Sequence, residues 1–121
     1  MKIKPTLVLG ASTNPERYSF LAANRLIEHG HPTILIGKAE GEIKGQKIEK
    51  VFPEKAEIDT LTMYLNPTNQ KQYYNDILRL KPGRIIFNPG AENAELEKLA
   101  TENGIAVDEA CTLVLLSTGQ Y

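Results

Sequence analysis

This chain has a single cysteine, Cys111, almost no net charge and no long hydrophobic run. One cysteine cannot close an internal disulfide, which excludes a disulfide-stapled scaffold and fits a reducing compartment. No segment approaches the ~18 consecutive apolar residues of a membrane-spanning helix. The apolar run near the start, Thr6 to Leu9, is too short for a secretory core, and Asn14-Pro15-Glu16-Arg17 follows at once. The expectation is a soluble cytoplasmic protein. Fourteen Lys and Arg against 15 Asp and Glu leave a net charge of −1. That balance gives no basic surface on which nucleic acid could neutralise its phosphates.

No His/Cys cluster has the spacing of a metal site. His29 and His31 flank Gly30 at the end of the first expected helix. They read as solvated turn residues at the edge opposite any ligand crevice rather than as acid–base catalysts. Tyr64, Tyr73, Tyr74 and Tyr121 read as packing residues rather than base-stacking platforms. Cys111, beside Asp108 and Glu109, reads as a small buried apolar residue. The competing reading is a thiol that forms a mixed disulfide with a thiol ligand.

The 121 residues, 41% hydrophobic and 24% charged, have the size and composition of one compact domain spanning 1–121. The stretch that organises them is Thr6 to Ser19, TLVLGASTNPERYS. It reads as a buried strand, a small-residue loop (Gly10, Ala11, Ser12) and the start of a helix. Such a unit presents backbone N–H groups and a helix N-terminus to a phosphate.

The first strand is expected over Thr6 to Gly10, and the first helix over Ser19 to His29, with Phe20, Leu21, Ala23, Leu26 and Ile27 at helical spacing. Pro32 to Ile36 reads as a second strand covered on both faces. Gly37 to Ile48 reads as an excursion with a short hairpin. The third strand is expected over Ile58 to Leu65 and the second helix, unbroken, over Asn69 to Leu80. A fourth strand (Arg84 to Phe87), a third helix (Asn93 to Asn103), a fifth strand (Ile105 to Val107) and an apolar last helix within Ala110 to Ser117 complete the chain. This alternation predicts an α/β fold: a three-layer sandwich around a five-stranded parallel sheet, order 3-2-1-4-5. The crevice for a ligand then lies where the strand order reverses, between strands one and four.

The first loop lacks the dinucleotide fingerprint, since Ser12 and Pro15 stand where GxGxxG requires glycine. A Ser12 hydroxyl and the Arg17 guanidinium can still meet phosphate oxygens. A plain tight turn is the competing reading. Gly37 and Lys38 stand at the end of the second strand, where NAD-binding domains carry an acidic residue for the ribose hydroxyls. A lysine there suits a phosphorylated ribose, as in coenzyme A or NADP; a solvated loop lysine is equally compatible. Asn-Pro follows a strand twice, at Asn66-Pro67 and Asn88-Pro89, and Gly90 comes next. Proline gives each strand a rigid exit, and Gly90 permits close backbone approach. Turn chemistry and helix capping by Glu92 or Asn93 explain the same residues.

Taken together, GASTNPERYSFLA, LIGK, the IKGQKI segment, MYLNP, IIFNPGAEN and ACTLVLLSTGQ resemble the stand-alone CoA-binding domain family, over nearly the whole chain. That family is similar to the nucleotide-binding domain of the succinyl-CoA synthetase alpha subunit. The resemblance implies a Rossmann-like fold that binds coenzyme A or an acyl-CoA. It places the first loop, Gly10, Ala11, Ser12, Asn14, Arg17 and Tyr18, at the CoA phosphates. Gly37 and Lys38 would lie near the adenosine, and Asn88, Pro89 and Gly90 would line the same crevice as Asn66 and Pro67. The catalytic histidine of the synthetases lies in a second domain with no counterpart here, so a binding module without its own chemistry is expected. Two alternatives remain. One is a small NADP-binding enzyme or oxidoreductase component. The other is a homo-oligomer or partner subunit that docks through an apolar surface such as Leu113 to Leu116.

Overall fold

The computed structural model describes residues 2–121. The elements are β1 (Thr6–Leu9), α1 (Tyr18–Glu28), β2 (Thr33–Ile36), β3 (Glu42–Ile43), β4 (Gln46–Glu49), β5 (Thr60–Met63), α2 (Pro67–Gln70), a 3₁₀ turn (Lys71–Tyr73), α3 (Tyr74–Leu80), β6 (Arg84–Phe87), α4 (Ala94–Glu102), β7 (Ala106–Glu109) and α5 (Thr112–Ser117).

They build one seven-stranded sheet, ordered β3-β4-β2-β1-β5-β6-β7. Every pairing is parallel except β3 with β4. The four central strands are short, apolar and almost wholly buried, as expected of strands covered on both faces. Side-chain alternation divides the core. Leu7, Leu9, Leu61, Met63, Ile85 and Phe87 pack with Ile77, Leu96 and Ala100 of α3 and α4. On the other face Val8 and Leu35 pack with Ala23 and Leu26 of α1 and Leu116 of α5.

Two expectations about the sheet need correction. It has seven strands, not five, because the Gly37–Ile48 excursion does form a hairpin and its second arm, β4, pairs in parallel with β2. The order 3-2-1-4-5 also fails for the strands to which it was assigned. The expected third strand, now β5, lies on the far side of β1 from β2. The hairpin already occupies the open edge of β2, so β5 must take the free edge of β1. The strand order therefore reverses between β1 and β5, not between β1 and β6.

The second helix is not continuous. Asn66 caps α2 by accepting the Asn69 N–H at 2.9 Å, and the 3₁₀ turn re-aims the chain before α3. The break lets Gln70, fully buried, turn inward between two loops. Its Nε2 donates to the Leu65 and Ala91 carbonyls, both at 2.8 Å, while its Oε1 accepts from Asn93 Nδ2 at 2.9 Å. The loop after β5 is thereby tied to the loop after β6.

His31 also departs from expectation. It is 3% exposed rather than a solvated turn residue. Tyr121 packs against it, and its Nδ1 accepts the Lys4 N–H at 3.0 Å. Tyr121 itself is held by its hydroxyl on Thr6, by Lys4 and Arg84 bonds to its carbonyl oxygen, and by Arg84 over its ring.

Candidate functional site

The C-terminal ends of β1, β2, β5 and β6 open into one cleft of about 610 Å³. Gly10, Ala11, Ser12, Arg17, Lys38, Asn66, Pro89 and Gly90, all singled out from the sequence, line it. Ala39, Tyr64, Leu65 and Asn69 line it too and carry no sequence signal of their own. The lining contains two cations and no acidic side chain. Among the described residues neither Arg17 nor Lys38 forms an ion pair.

The first loop is built in two halves. Gly10, at φ +99°, turns the chain out of β1. The N–H groups of Gly10 and Ala11 both donate to the Ile36 carbonyl at 2.9 Å. These two amides are thus committed to the fold and face no ligand. The second half folds on its own side chains: the Asn14 N–H donates to Ser12 Oγ, and the Glu16 N–H donates to Asn14 Oδ1, both at 3.0 Å. Asn14 therefore shapes the loop and does not line the cleft. Among the described residues, the N–H groups of Ser12, Thr13, Tyr18 and Ser19 make no hydrogen bond. Helix α1 begins at Tyr18 with no side-chain cap and no acidic residue in its first turn. An anion there would meet unpaired amides and the positive end of an 11-residue helix.

Gly37 does not line the cleft either. A methyl at this position would lie 2.3 Å from the Ala11 carbonyl oxygen, so glycine lets β2 exit flush against the first loop. Lys38 comes next and reaches the cleft. Pro67 starts α2 behind Asn66, outside the lining.

Asn88 is 2% exposed and its amide is fully engaged. Nδ2 donates to Thr62 Oγ1 at 2.8 Å and to the Met63 carbonyl at 2.9 Å; Oδ1 accepts the Thr112 N–H at 2.9 Å. The Thr62 and Thr112 hydroxyls share a further bond at 2.8 Å. This network joins β5, β6 and α5, so the Asn88 side chain is fixed by internal bonds where it meets the neighbouring pocket. In the same loop Glu92 accepts the Gly90 N–H, and Asn93 caps α4 through the Glu95 and Leu96 N–H groups.

Beside the cleft lies a second pocket of about 410 Å³, lined by Tyr18, Tyr64, Asn88, Pro89, Cys111, Leu113 and Val114. Tyr64 and Pro89 border both spaces. The Tyr64 hydroxyl is buried without a hydrogen-bond partner among the described residues, and burial pushes its pKa well above the ordinary tyrosine value. Cys111 is half-buried at this pocket. Of the apolar segment Leu113 to Leu116, Leu116 is buried in the core with α1 while Val114 is 54% exposed.

His29 and His31 stand at the opposite, N-terminal end of the strands, before β2. No group of three or more His, Cys, Asp or Glu side chains is placed to hold a metal ion among the described residues. Among the described residues no helix is long and apolar enough to cross a membrane.

Three comparisons bear on this geometry. A crystal structure described as that of an "uncharacterized protein" shares 49% identity, with full coverage of both chains and a TM-score of 0.95. A hypothetical protein from Pyrococcus horikoshii OT3 superposes with a TM-score of 0.86 at 21% identity, over 97% of this chain and 84% of that one. A Thermus thermophilus protein gives 0.85 at 24% identity, over 98% and 91%. These last two likenesses show a shared fold. No curated protein matches the chain. The family model for the CoA binding domain matches residues 4–117. With that match running from before β1 to the last residue of α5, the chain belongs to the CoA-binding domain family.

Proposed function

We propose that the cleft at the β1–β5 reversal binds coenzyme A or an acyl-CoA, and that residues 1–121 act as one Rossmann-like, cytoplasmic binding module without chemistry of its own. One observation carries this reading: two cations without an ion pair among the described residues, Arg17 and Lys38, converge with the Ser12 hydroxyl on a single cleft. At its edge the uncapped start of α1 leaves backbone donors unpaired. A diphosphate is the group such a cradle suits, because charge-assisted bonds to phosphate need both fixed N–H donors and mobile cations. Arg17, next to the free amides, takes the diphosphate. Lys38, at the end of β2, takes the phosphorylated ribose. Gly10, Ala11, Asn66, Pro89 and Gly90 supply walls that approach the ligand closely. Asn14, Gly37 and Asn88 shape those walls from behind, and Tyr18 and Pro67 start the helices that flank them.

The experiment is titration calorimetry with CoA, NADP and NAD side by side, on the native chain and on Arg17→Ala. CoA binds and NAD does not; Arg17→Ala weakens CoA binding by roughly 1–3 kcal/mol. Binding of NADP with none of CoA would replace this reading with that of a small NADP-dependent enzyme. An unchanged affinity in Arg17→Ala would remove the guanidinium from the site.

A further inference from the structure

The apolar pocket beside the cleft has no part in holding phosphates. Tyr18, Tyr64, Pro89, Leu113 and Val114 form its walls, with Cys111 and the internally bonded Asn88 amide beside them, and its lining carries no charged side chain. It adjoins the cationic cleft, with Tyr64 and Pro89 bordering both. Tyr18 is 72% exposed and Val114 54%, so large apolar surfaces meet water on either side of it. Such surfaces gain by being covered. A ligand that fills both spaces must be anionic at one end and apolar at the other.

We infer that the pocket takes the acyl chain of an acyl-CoA thioester, so that the site prefers acyl-CoA to free CoA; this rests on the cleft binding the CoA diphosphate. Free CoA would leave the pocket to its small thiol end and the apolar walls wet. A short-to-medium hydrocarbon chain matches the walls.

The test is calorimetry with CoA, acetyl-CoA, butyryl-CoA and hexanoyl-CoA under one buffer. Each methylene that enters the pocket should tighten binding about fourfold, the equivalent of ~0.8 kcal/mol. Val114→Glu, at an exposed position of α5, should lower hexanoyl-CoA affinity at least tenfold more than it lowers CoA affinity. Leu113→Asn serves as a second variant, and a thermal scan of each confirms that it folds. Equal affinity for CoA and every thioester would overturn this inference and leave the CoA reading standing. Failure of the whole series to bind would overturn both. Sedimentation showing that the pocket is closed by a second copy, with Val114→Glu dissociating it and the acyl series flat, would also overturn it.

Discussion

Gly37→Ala puts the close contact between β2 and the first loop to a quantitative test. The added methyl would sit 2.3 Å from the Ala11 carbonyl oxygen and 3.2 Å from its carbon. A carbon–oxygen approach of about 3.3 Å is already close. The two strands' exits must therefore separate by roughly 1 Å, and the obstacle is backbone, not the end of a flexible side chain. That displacement strains the pair of 2.9 Å bonds from Gly10 and Ala11 to Ile36. Weakening these costs about 0.5–1.5 kcal/mol each, and overpacking adds about 1–3 kcal/mol. A net destabilisation of about 2–6 kcal/mol follows, or roughly 8–24 °C in Tm for a chain of this size. The same shift moves Ser12 relative to Lys38, and should weaken CoA binding on the order of tenfold. Gly45→Ala is the control. Its methyl would meet no heavy atom within 4 Å, but its φ of +85° charges a conformational penalty. That penalty is about 1–2 kcal/mol, with no effect on binding. Urea unfolding followed by circular dichroism, with calorimetry for affinity, measures both. If Gly37→Ala unfolds with Gly45→Ala and binds CoA at full strength, the close packing of β2 on the first loop is refuted.

Asn88→Ala should cost about 1–3 kcal/mol, since it leaves the buried Thr112 N–H without its partner, while the Met63 carbonyl keeps the backbone N–H of residue 88; chemical denaturation measures this, and a loss under about 0.5 kcal/mol would show that the network contributes little. Stability should also depend on pH through His31. Burial first, then the charges of His29 and Lys4, hold its imidazole below the ordinary value, against an opposing pull from Asp59. The unfolded chain thus binds the proton more readily. The contribution is complete above pH ~6.5 and is lost as pH falls below that value. Thermal scans between pH 8 and 5 should show this decline, and His31→Asn, which keeps an acceptor near Lys4, should flatten it relative to the native chain.

The central strands were legible because burial on both faces demands continuous apolar runs, and Thr6 to Leu9, Ile34 to Ile36 and Ile85 to Phe87 are such runs. The loops at their ends were legible because Gly10, Asn66-Pro67 and Gly90 carry turn chemistry in their residue types. Strand β4 was harder to place. Only Ile48 of Gln46–Glu49 is buried, as suits a strand near a sheet edge, and its pairing depends on which neighbour has a free edge. Missing that pairing misplaced β5. The fate of polar side chains was equally hidden. Asn88 was expected to line the crevice, and what the residue type did not reveal is that its amide also braces β5 against α5; Gln70 looked like an ordinary helix residue and became the tie between two loops.

Residue type and spacing alone determined the alternation of strands and helices, the positions of the loops and the cationic character that Arg17 and Lys38 bring to them. Those properties are local, fixed by side-chain size, charge and backbone freedom over a few residues. The tertiary structure alone decided the strand order, the burial of His31 beneath Tyr121, and the meeting of Tyr64 and Pro89 between a polar cleft and an apolar pocket. Each of these joins segments far apart in the chain, and such contacts are settled by which edges and surfaces remain free once the rest has packed.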